Sequence, residues 1–199
     1  MTNFLYFKTP LMLMCDEVHN EVQLKSSFSE EDAIKEAKSG NRQAFNQIIE
    51  HYTPFAYRLA YVILQNEQDA QDAVQDAFLR CYLKLASFRY NSTLQTWLYR
   101  VVVNCCKDIL RKKQREQRAC ANLARENTFL ENMDTVEENL DLKNILATFT
   151  PEYRATLVLY YGLGLKNKEV AKTLGIPVGT VKSRLHTARK SIQNYLLRK

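Results

Sequence analysis

The segment KNKEVAKTLGIPVGTVKSRLHTAR, residues 166–189, is the most informative part of the chain about its fold. Ala171 and Leu174 belong to one apolar helical face, and Gly175 follows where a chain that leaves a helix often adopts the left-handed conformation. Pro177 suits the start of the next helix, because its missing N–H needs no partner in a first turn. The spacing therefore predicts a helix, a tight turn and a second helix.

The second helix of this pair combines an apolar stripe with a basic face. Val181, Leu185 and Ala188 recur at helical spacing and predict the buried side. A helix-turn-helix of this kind presents cationic and hydrogen-bonding side chains to the major groove of DNA. The alternative is an ordinary helical hairpin whose basic face is solvated. Facing away from the stripe are Lys182, Ser183, Arg184, His186 and Arg189.

Composition and charge favour a helical protein with a polyanionic partner. The chain has 199 residues, 46% of them hydrophobic, with only 5 Gly and 4 Pro, so long helices fit better than sheets with many turns. Its net charge is +6 and is segregated along the chain. Residues 100–118 hold seven Lys or Arg and two acidic residues. Residues 119–141 hold one Arg and six acidic residues, and residues 166–199 hold nine Lys or Arg and one acidic residue. Two basic blocks therefore flank an acidic one.

The cysteines and the N-terminus argue against several classes of protein. The 5 Cys are odd in number and form no CxxC pair, which disfavours a disulfide framework and favours a reducing, cytoplasmic compartment. Cys15 and His19 lack a second pair of ligands, so no metal site and no cofactor are predicted. Residues 1–28 begin with an apolar stretch that is too short for stable membrane insertion and has no cleavage signal. We expect a disordered or weakly docked extension there, or a fold that begins only near Ser29.

Helical periodicity divides the chain into two parts, and no segment alternates convincingly over the length of a strand. The predicted fold is all-α, with two small helical domains at residues 29–115 and 139–199 joined by an acidic flexible linker at 116–138. Ser29 and Asp32 resemble a capping box that opens the first helix. Helices are predicted at about 29–38, 41–65, 66–85, 95–115, 139–148 and 151–161, ahead of the helix-turn-helix.

A second candidate for nucleic-acid binding is the loop FRYNSTL, residues 88–94, together with the helix that follows it. Aromatic side chains such as Tyr90 occur there beside cations such as Arg111, and amides such as that of Asn104 can read base edges. Single-stranded DNA is bound by this combination of stacking platforms and positive charge. A polar pocket beside aromatic residues can also hold a flipped base. For Trp97 we favour the alternative, burial in the core, over contact with a base.

Three segments together resemble bacterial RNA polymerase sigma factors of the extracytoplasmic-function (ECF) group. They are DAQDAVQDAFLRCYLKLASF, FRYNSTLQTWLYRVVVNCCKDILRKKQR and KNKEVAKTLGIPVGTVKSRLHTARKSI, and the resemblance covers about residues 30–115 and 139–195. It implies a specificity factor without enzymatic activity, which directs core polymerase to promoters by recognising a −35 element and melting a −10 element. It also implies partners: the polymerase core through its beta-prime clamp and beta flap, promoter DNA, and an anti-sigma factor. The chain is expected to be a monomer when free or to form a 1:1 complex with its partner.

The resemblance further implies roles for particular residues. Those that match the −35-binding part of the family are Thr180, Lys182, Ser183, Arg184, His186, Thr187 and Arg189. Those that match the −10-binding part are Phe88, Tyr90, Asn91, Ser92, Asn104, Lys107 and Arg111. Those that match the part that binds core polymerase are Asp69, Asp72, Gln75, Asp76, Phe78, Leu79 and Arg80.

The sequence departs from the family pattern at a few positions, and two other functions remain open. Tyr90 stands where many members have Gly, and Thr187 where many have Arg, which leaves the base preferences open. An autonomous helix-turn-helix repressor would need a dimer interface and a ligand cavity, and it gives the DAQDAVQDAF segment no role. An enzyme that acts on nucleic acid would need a carboxylate cluster for metal, or a nucleophile with a base. The 3 His lie on separate predicted elements, which disfavours such a site.

Overall fold

The computed structural model describes residues 29–123 and 140–196, and all regular structure in these residues is helical, which confirms the predicted all-α class. The expected N-terminal extension and most of the expected linker lie outside the described residues. A 3₁₀ turn at Leu85–Ser87 and a π-helical turn at Val158–Gly162 accompany the α-helices. The α-helices in the described residues are α1 (Glu30–Lys38), α2 (Arg42–Leu64), α3 (Glu67–Lys84), α4 (Leu94–Leu123), α5 (Leu140–Ala147), α6 (Pro151–Leu157), α7 (Asn167–Leu174) and α8 (Val178–Leu196).

Helices α1 to α4 form a first unit in which α2 is central. Helix α2 packs against α1, α3 and α4, and α3 packs against α4. Ala70, Ala73 and Ala77 are fully buried on α3, where their small side chains leave room for large ones from the neighbouring helices. Large side chains buried in this unit are Ile34, Leu59, Leu98, Tyr99, Val102 and Val103.

Polar side chains cap the helices of the first unit. Ser29 Oγ accepts a hydrogen bond from the backbone N–H of Asp32 at 3.4 Å, as the sequence pattern predicts. Asn66 Oδ1 accepts from the backbone N–H of Asp69 at 2.9 Å and opens α3 in the same way. Because the first N–H groups of a helix have no partner within the helix, each such cap contributes about 1 kcal/mol.

Helix α1 is attached to the rest of the first unit by two polar contacts. The buried Tyr52 hydroxyl on α2 donates a hydrogen bond to Glu30 Oε2 at 2.5 Å, and burial raises the pKa of Tyr52. At the other end of α1, Lys38 Nζ donates to the backbone carbonyl of Phe88 at 2.6 Å. Helix α1 therefore braces the loop at residues 88–94 as well as packing on α2.

Helix α4 continues to Leu123, past the end that the sequence predicted at residue 115. The side chains at residues 111–119 are all exposed, and most of these residues are strong helix formers. Lys112 and Glu116 also form an ion pair one turn apart, at 3.9 Å. The polar composition of this segment indicated exposure to solvent, which is compatible with a helix, and α4 extends into the segment that was predicted as a linker from residue 116.

Helices α5 to α8 form a second unit. The helix predicted at 151–161 ends as an α-helix at Leu157 and continues as the π-helical turn, in which the Leu163 N–H donates to the Val158 carbonyl at 2.8 Å. Gly164 then has a φ of +67°, a left-handed conformation that suits glycine, and the chain turns into α7. The side chains that fill this core are Val158, Leu159, Val170, Val181 and Leu185.

The two units touch through α2 with α6 and through α4 with α7. Arg154 of α6 is only 8% exposed and reaches the end of α2, where its Nε and Nη2 donate to the Ile63 carbonyl at 3.2 and 2.6 Å. Its Nη1 donates to the Phe149 carbonyl at 2.7 Å. The carbonyl of Ile63 lies in the last turn of α2 and has no partner within that helix, so Arg154 caps α2 from the other unit.

The thiols of Cys81, Cys105 and Cys106 are buried in the first unit. Burial raises the pKa of each from 9.0 to about 12, so all three stay protonated in the folded protein at pH 8. We expect iodoacetamide to leave them unlabelled in the native protein at pH 8 and to label them fully in denaturant, as measured by peptide mass spectrometry. Rapid native labelling at any of the three would contradict this.

The same thiols predict a loss of stability at alkaline pH. A thiol whose pKa is raised by folding keeps its proton in the native state at pH values where the unfolded chain has lost it. Its contribution to the free energy of unfolding is therefore complete below about pH 9 and is lost as the pH rises towards 12. The free energy of unfolding, measured with urea at several pH values, is therefore expected to fall above pH 9. Replacing Cys106 with Ala is expected to make that fall less steep.

Candidate nucleic-acid interface

The helix-turn-helix predicted from the sequence is formed by α7, the turn at Gly175 and α8. At the start of α7 the Lys166 N–H donates to Glu169 Oε2 at 2.7 Å. Gly175 has a φ of +68°, and the N–H of Ile176 returns to the carbonyl of Ala171 at 3.1 Å, which closes the turn. The local hydrogen bonds therefore fix the angle at which α8 leaves the turn.

Helix α8 has one face in the core and one face in solvent. Val181, Leu185 and Ala188 are at most 2% exposed. Thr180 is half-buried, and its carbonyl accepts a hydrogen bond from Ser183 Oγ at 3.0 Å. Helix α8 contains no acidic residue, so nothing on it opposes an approaching phosphate. The exposed side chains among those predicted to contact DNA are Lys182, Ser183, His186 and Thr187.

Two arginines of the predicted set lie differently, because they are half-buried between α8 and the elements before it. Arg184 has its guanidinium 5.8 Å from the centre of the Tyr153 ring, and its Nη1 donates to the Glu152 carbonyl at 3.4 Å. Arg189 Nε donates to the Tyr161 hydroxyl at 2.6 Å. Both residues hold α8 in place here, and their contact with DNA stays a prediction.

The loop at residues 88–94 presents some of the predicted residues and buries others. Phe88 is 6% exposed and packs against Trp97, with 5.2 Å between the ring centres, so both rings belong to the packing of the first unit. Tyr90 is 55% exposed and has a φ of +56°. Asn91 is exposed, and Ser92 is half-buried.

Helix α4 carries the remaining predicted residues of this set along its length. Asn104 and Arg111 are exposed, and Lys107 is half-buried. The pKa of Glu152 on α6 is lowered, chiefly by a hydrogen bond from the Thr150 side chain and in part by the positive charge of Lys107. Lys107 lines the same cavity as Pro151 and Glu152, so it lies near the start of α6 and faces the second unit.

Two charged residues of α3, Asp69 and Arg80, are paired with α4. Asp69 forms an ion pair with Lys113. Arg80 bonds Asp76 at 2.8 Å on its own helix and Asp108 at 2.9 Å on α4. Such pairs on the surface contribute little to stability, about 0 to 1 kcal/mol each, so they organise a charged surface more than they hold the fold.

The same helix exposes apolar side chains in one direction. Asp72 and Gln75 are exposed, and Leu79 beyond them is 58% exposed. Phe78, in contrast, is 7% exposed and belongs to the hydrophobic core of the first unit. Leu83, one turn after Leu79, is 70% exposed, and the sequence-based set had missed it. The signal was its spacing of four residues from Leu79, which places both on one face. We call Asp72, Gln75, Leu79 and Leu83 the α3 surface.

Comparison with known proteins decides the family. The family model for sigma-70 region 2 matches residues 48–116, and that for sigma-70 region 4 matches residues 139–192. Over 176 residues the chain is 33% identical to the ECF RNA polymerase sigma factor SigW of Bacillus subtilis, which covers 82% of this chain and 94% of that protein. The chain belongs to the ECF RNA polymerase sigma factors.

Another relative and one solved structure agree with this assignment, and a second solved structure shares the fold. The ECF RNA polymerase sigma factor SigM of Mycobacterium tuberculosis is 33% identical over 158 residues, which is 79% of this sigma factor and 80% of that one. The sigma factor RpoE of Bartonella quintana, solved with the anti-sigma factor NepR, has a TM-score of 0.64 and 26% identity over 76% of this chain and 96% of that one. CnrH, solved with the cytosolic domain of CnrY, shares the fold with a TM-score of 0.65 at 23% identity, over 85% of this chain and 98% of that one.

The resemblance to ECF sigma factors is thereby confirmed, and with it the function of directing RNA polymerase to promoters. Sigma factors are regulators without catalytic activity, and no comparison supports the repressor alternative. Within residues 29–123 and 140–196 there is no group of three residues that could hold a metal ion. In the same residues no helix is long and apolar enough to cross a membrane.

Proposed function

We propose that this sigma factor reads a promoter in two parts, with α8 in the major groove of a −35 element and the 88–94 loop and α4 on the unpaired strand of a −10 element. The observation that carries the proposal is the division of α8 into two faces. Val181 and Leu185 fix one face to the second unit, while the opposite face is exposed and basic. A helix presented in this way enters the major groove with its N-terminal half towards the bases.

The exposed residues of α8 divide by chemistry into two roles. Lys182 supplies charge for a phosphate, which positions the helix without reading sequence. Ser183, His186 and Thr187 offer donors and acceptors for base edges. Arg184 supports them by holding α8 against α6.

On the −10 side the proposal needs capture of unpaired bases and no covalent chemistry. Asn91 and Asn104 are exposed amides that can bond base edges, and the exposed Arg111 further along α4 is placed for the phosphate backbone. The binding energy of the captured strand opposes re-pairing of the duplex, so melting follows from binding.

The proposal requires the two units to separate on the promoter. Lys172 Nζ of α7 donates to the carbonyl of Asn91 in the 88–94 loop, and α7 packs on α4. The helix-turn-helix is thus in contact with the loop proposed to bind the −10 strand, whereas −35 and −10 elements lie about 25 base pairs, or roughly 85 Å, apart along the duplex. We therefore propose that the two units touch before promoter binding and that the protein adopts an extended arrangement on the polymerase.

For partners we propose the polymerase core and an anti-sigma factor. The α3 surface is assigned to the beta-prime clamp, together with the paired charges of Asp69, Asp76 and Arg80. Contact of the second unit with the beta flap, a monomeric free state and a cytoplasmic location belong to the same proposal. Support for an anti-sigma partner comes from RpoE of Bartonella quintana, whose structure contains one.

The test is transcription with purified components. The sigma factor is added to sigma-free core polymerase, and transcripts from genomic DNA are mapped to their start sites. We expect discrete start sites that share two upstream motifs. A stable complex with core polymerase that initiates without shared motifs would overturn the proposal.

Changing the exposed face of α8 is expected to weaken use of the −35 element. The double change Lys182→Ala with His186→Ala removes one phosphate contact and one base contact, and we expect at least a 10-fold loss of transcription from the mapped promoters. Lys182→Ala alone should lower the salt dependence of binding by about one charge. Gln193→Ala, also exposed on α8, is the matched control. Equal transcription by the double variant would remove this face from the interface.

A further inference from the structure

Tyr90 has a backbone conformation that its side chain does not favour. In the described residues two non-glycine residues have a positive φ, Gln65 at +55° and Tyr90 at +56°. Gln65 ends α2, where its N–H bonds the Tyr61 carbonyl at 2.7 Å, and this is a common position for the left-handed conformation. Tyr90 lies in the loop between the 3₁₀ turn and α4 and ends no helix. A bulky residue with this φ costs free energy, so neighbouring contacts must hold it there.

Lys38 of α1 supplies these contacts. Its Nζ donates to the carbonyl of Phe88 at 2.6 Å and also lies 4.6 Å from the centre of the Tyr90 ring, within the range of a cation–π contact. The Phe88 ring packs beside it, 5.0 Å from the Tyr90 ring and tilted by 56°. One lysine thus fixes the backbone two residues before Tyr90 and attracts its ring.

The result is an aromatic ring that is held in place but not buried. Tyr90 is 55% exposed even though Lys38 and Phe88 both contact it. Asn91, the next residue of the loop, is exposed as well, and α4, which follows the loop, carries exposed cationic side chains. A fixed, exposed ring beside positive charge is what binds the face of an unpaired base, and it loses little conformational freedom on binding.

We propose that Tyr90 stacks on an unpaired base of the −10 strand, and that Lys38 is the positioning residue that holds its ring ready for this contact. The inference rests on the proposed binding of the −10 strand by this loop. A glycine at this position would relieve the backbone but would offer no ring. Lys38 acts through Tyr90 and not on the DNA.

The experiment uses holoenzyme assembled from core polymerase and the full-length sigma factor. The probe is a fork-junction DNA with the upstream duplex and the single-stranded non-template −10 segment of a mapped promoter, with 2-aminopurine in that segment to report stacking. The fully paired duplex is the comparison. We expect Tyr90→Gly to weaken binding of the fork by about 5- to 100-fold, which is the range for loss of one stacked base. Binding of the upstream duplex should not change. Tyr90→Phe should stay within about 2-fold of the wild type, because the ring remains.

The positioning role of Lys38 is tested by a double-mutant cycle. Lys38→Met keeps the aliphatic stem and should weaken fork binding, while Lys38→Met added to Tyr90→Gly should cause no further loss, because its effect passes through the ring. Lys35→Met, exposed on the same helix, is the matched control and should have no effect. Thermal melting separates a lost DNA contact from a defect in folding. Tyr90→Gly should melt at or above the wild-type temperature, because glycine relieves the backbone strain at residue 90.

Several outcomes would overturn the inference. Wild-type affinity and wild-type 2-aminopurine quenching in Tyr90→Gly would remove Tyr90 from the contact. Additive losses in the double variant would show that Lys38 acts by another route. A wild-type holoenzyme that binds fork and duplex equally would overturn the proposed −10 function itself, which is distinct from a failure of Tyr90 alone.

Discussion

Replacing Leu79 and Leu83 together with alanine is expected to weaken binding of this sigma factor to core RNA polymerase about 100-fold. Both side chains are well exposed in the free protein, at 58% and 70%, although large apolar residues on a monomer are usually more covered. If a partner buries them, each truncation removes roughly 1–2 kcal/mol of binding free energy from apolar contact. A total loss of about 2.7 kcal/mol in binding free energy corresponds to a 100-fold weaker affinity.

The position of this pair explains why we expect a polymerase contact from it. The two leucines are one turn apart on α3, and Asp72 and Gln75 precede them on the same surface. An apolar centre with a polar margin is the usual anatomy of a protein interface. No such contact is needed for folding, because the core side of α3 is filled by Ala70, Ala73 and other buried residues.

The measurement is fluorescence titration of labelled sigma factor with core polymerase. The unfolding transition of the double variant should match the wild type, because neither side chain is buried in the free protein. Lys35→Ala, exposed on α1, serves as the control and should bind normally. Wild-type affinity in the double variant would exclude the α3 surface from the interface.

Replacing Arg154 with methionine is expected to lower the free energy of unfolding by about 2–3 kcal/mol. The guanidinium makes two hydrogen bonds to the Ile63 carbonyl and one to the Phe149 carbonyl, and it is 8% exposed. Methionine fills a similar length but donates nothing, so the buried carbonyl of Ile63 and the partly buried carbonyl of Phe149 lose a partner. For a protein of this size the melting temperature should fall by about 5–10 °C.

Loss of this arginine should also loosen the contact between the two units. Ile63 lies in the last turn of α2 and Arg154 lies on α6, so the bond joins the first unit to the second. Small-angle X-ray scattering is expected to show a larger radius of gyration for Arg154→Met than for the wild type. Arg118→Met, at an exposed position of α4, is the control. An unchanged melting temperature and an unchanged radius of gyration would show that the units are held together without Arg154.

Local sequence patterns were sufficient to predict the helix-turn-helix and the helical character of the chain. These features depend on residues that are near one another along the chain: the apolar stripe through Val181 and Leu185, the glycine at 175 and the cap at Ser29. Spacing of three or four residues places side chains on one helical face whatever the rest of the protein does. Among the exposed residues of α8, Lys182, Ser183 and His186 were identifiable for the same reason.

Which of the predicted residues are free to bind depends on contacts between distant parts of the chain. Arg154 and Ile63 are 91 positions apart, and Lys38 and Phe88 are 50 positions apart, so no local pattern links them. Whether Arg184 faces solvent or Tyr153 depends on how α8 packs on α6. Burial and hydrogen bonding between distant segments arise when helices pack, and helix packing depends on all the side chains at an interface together.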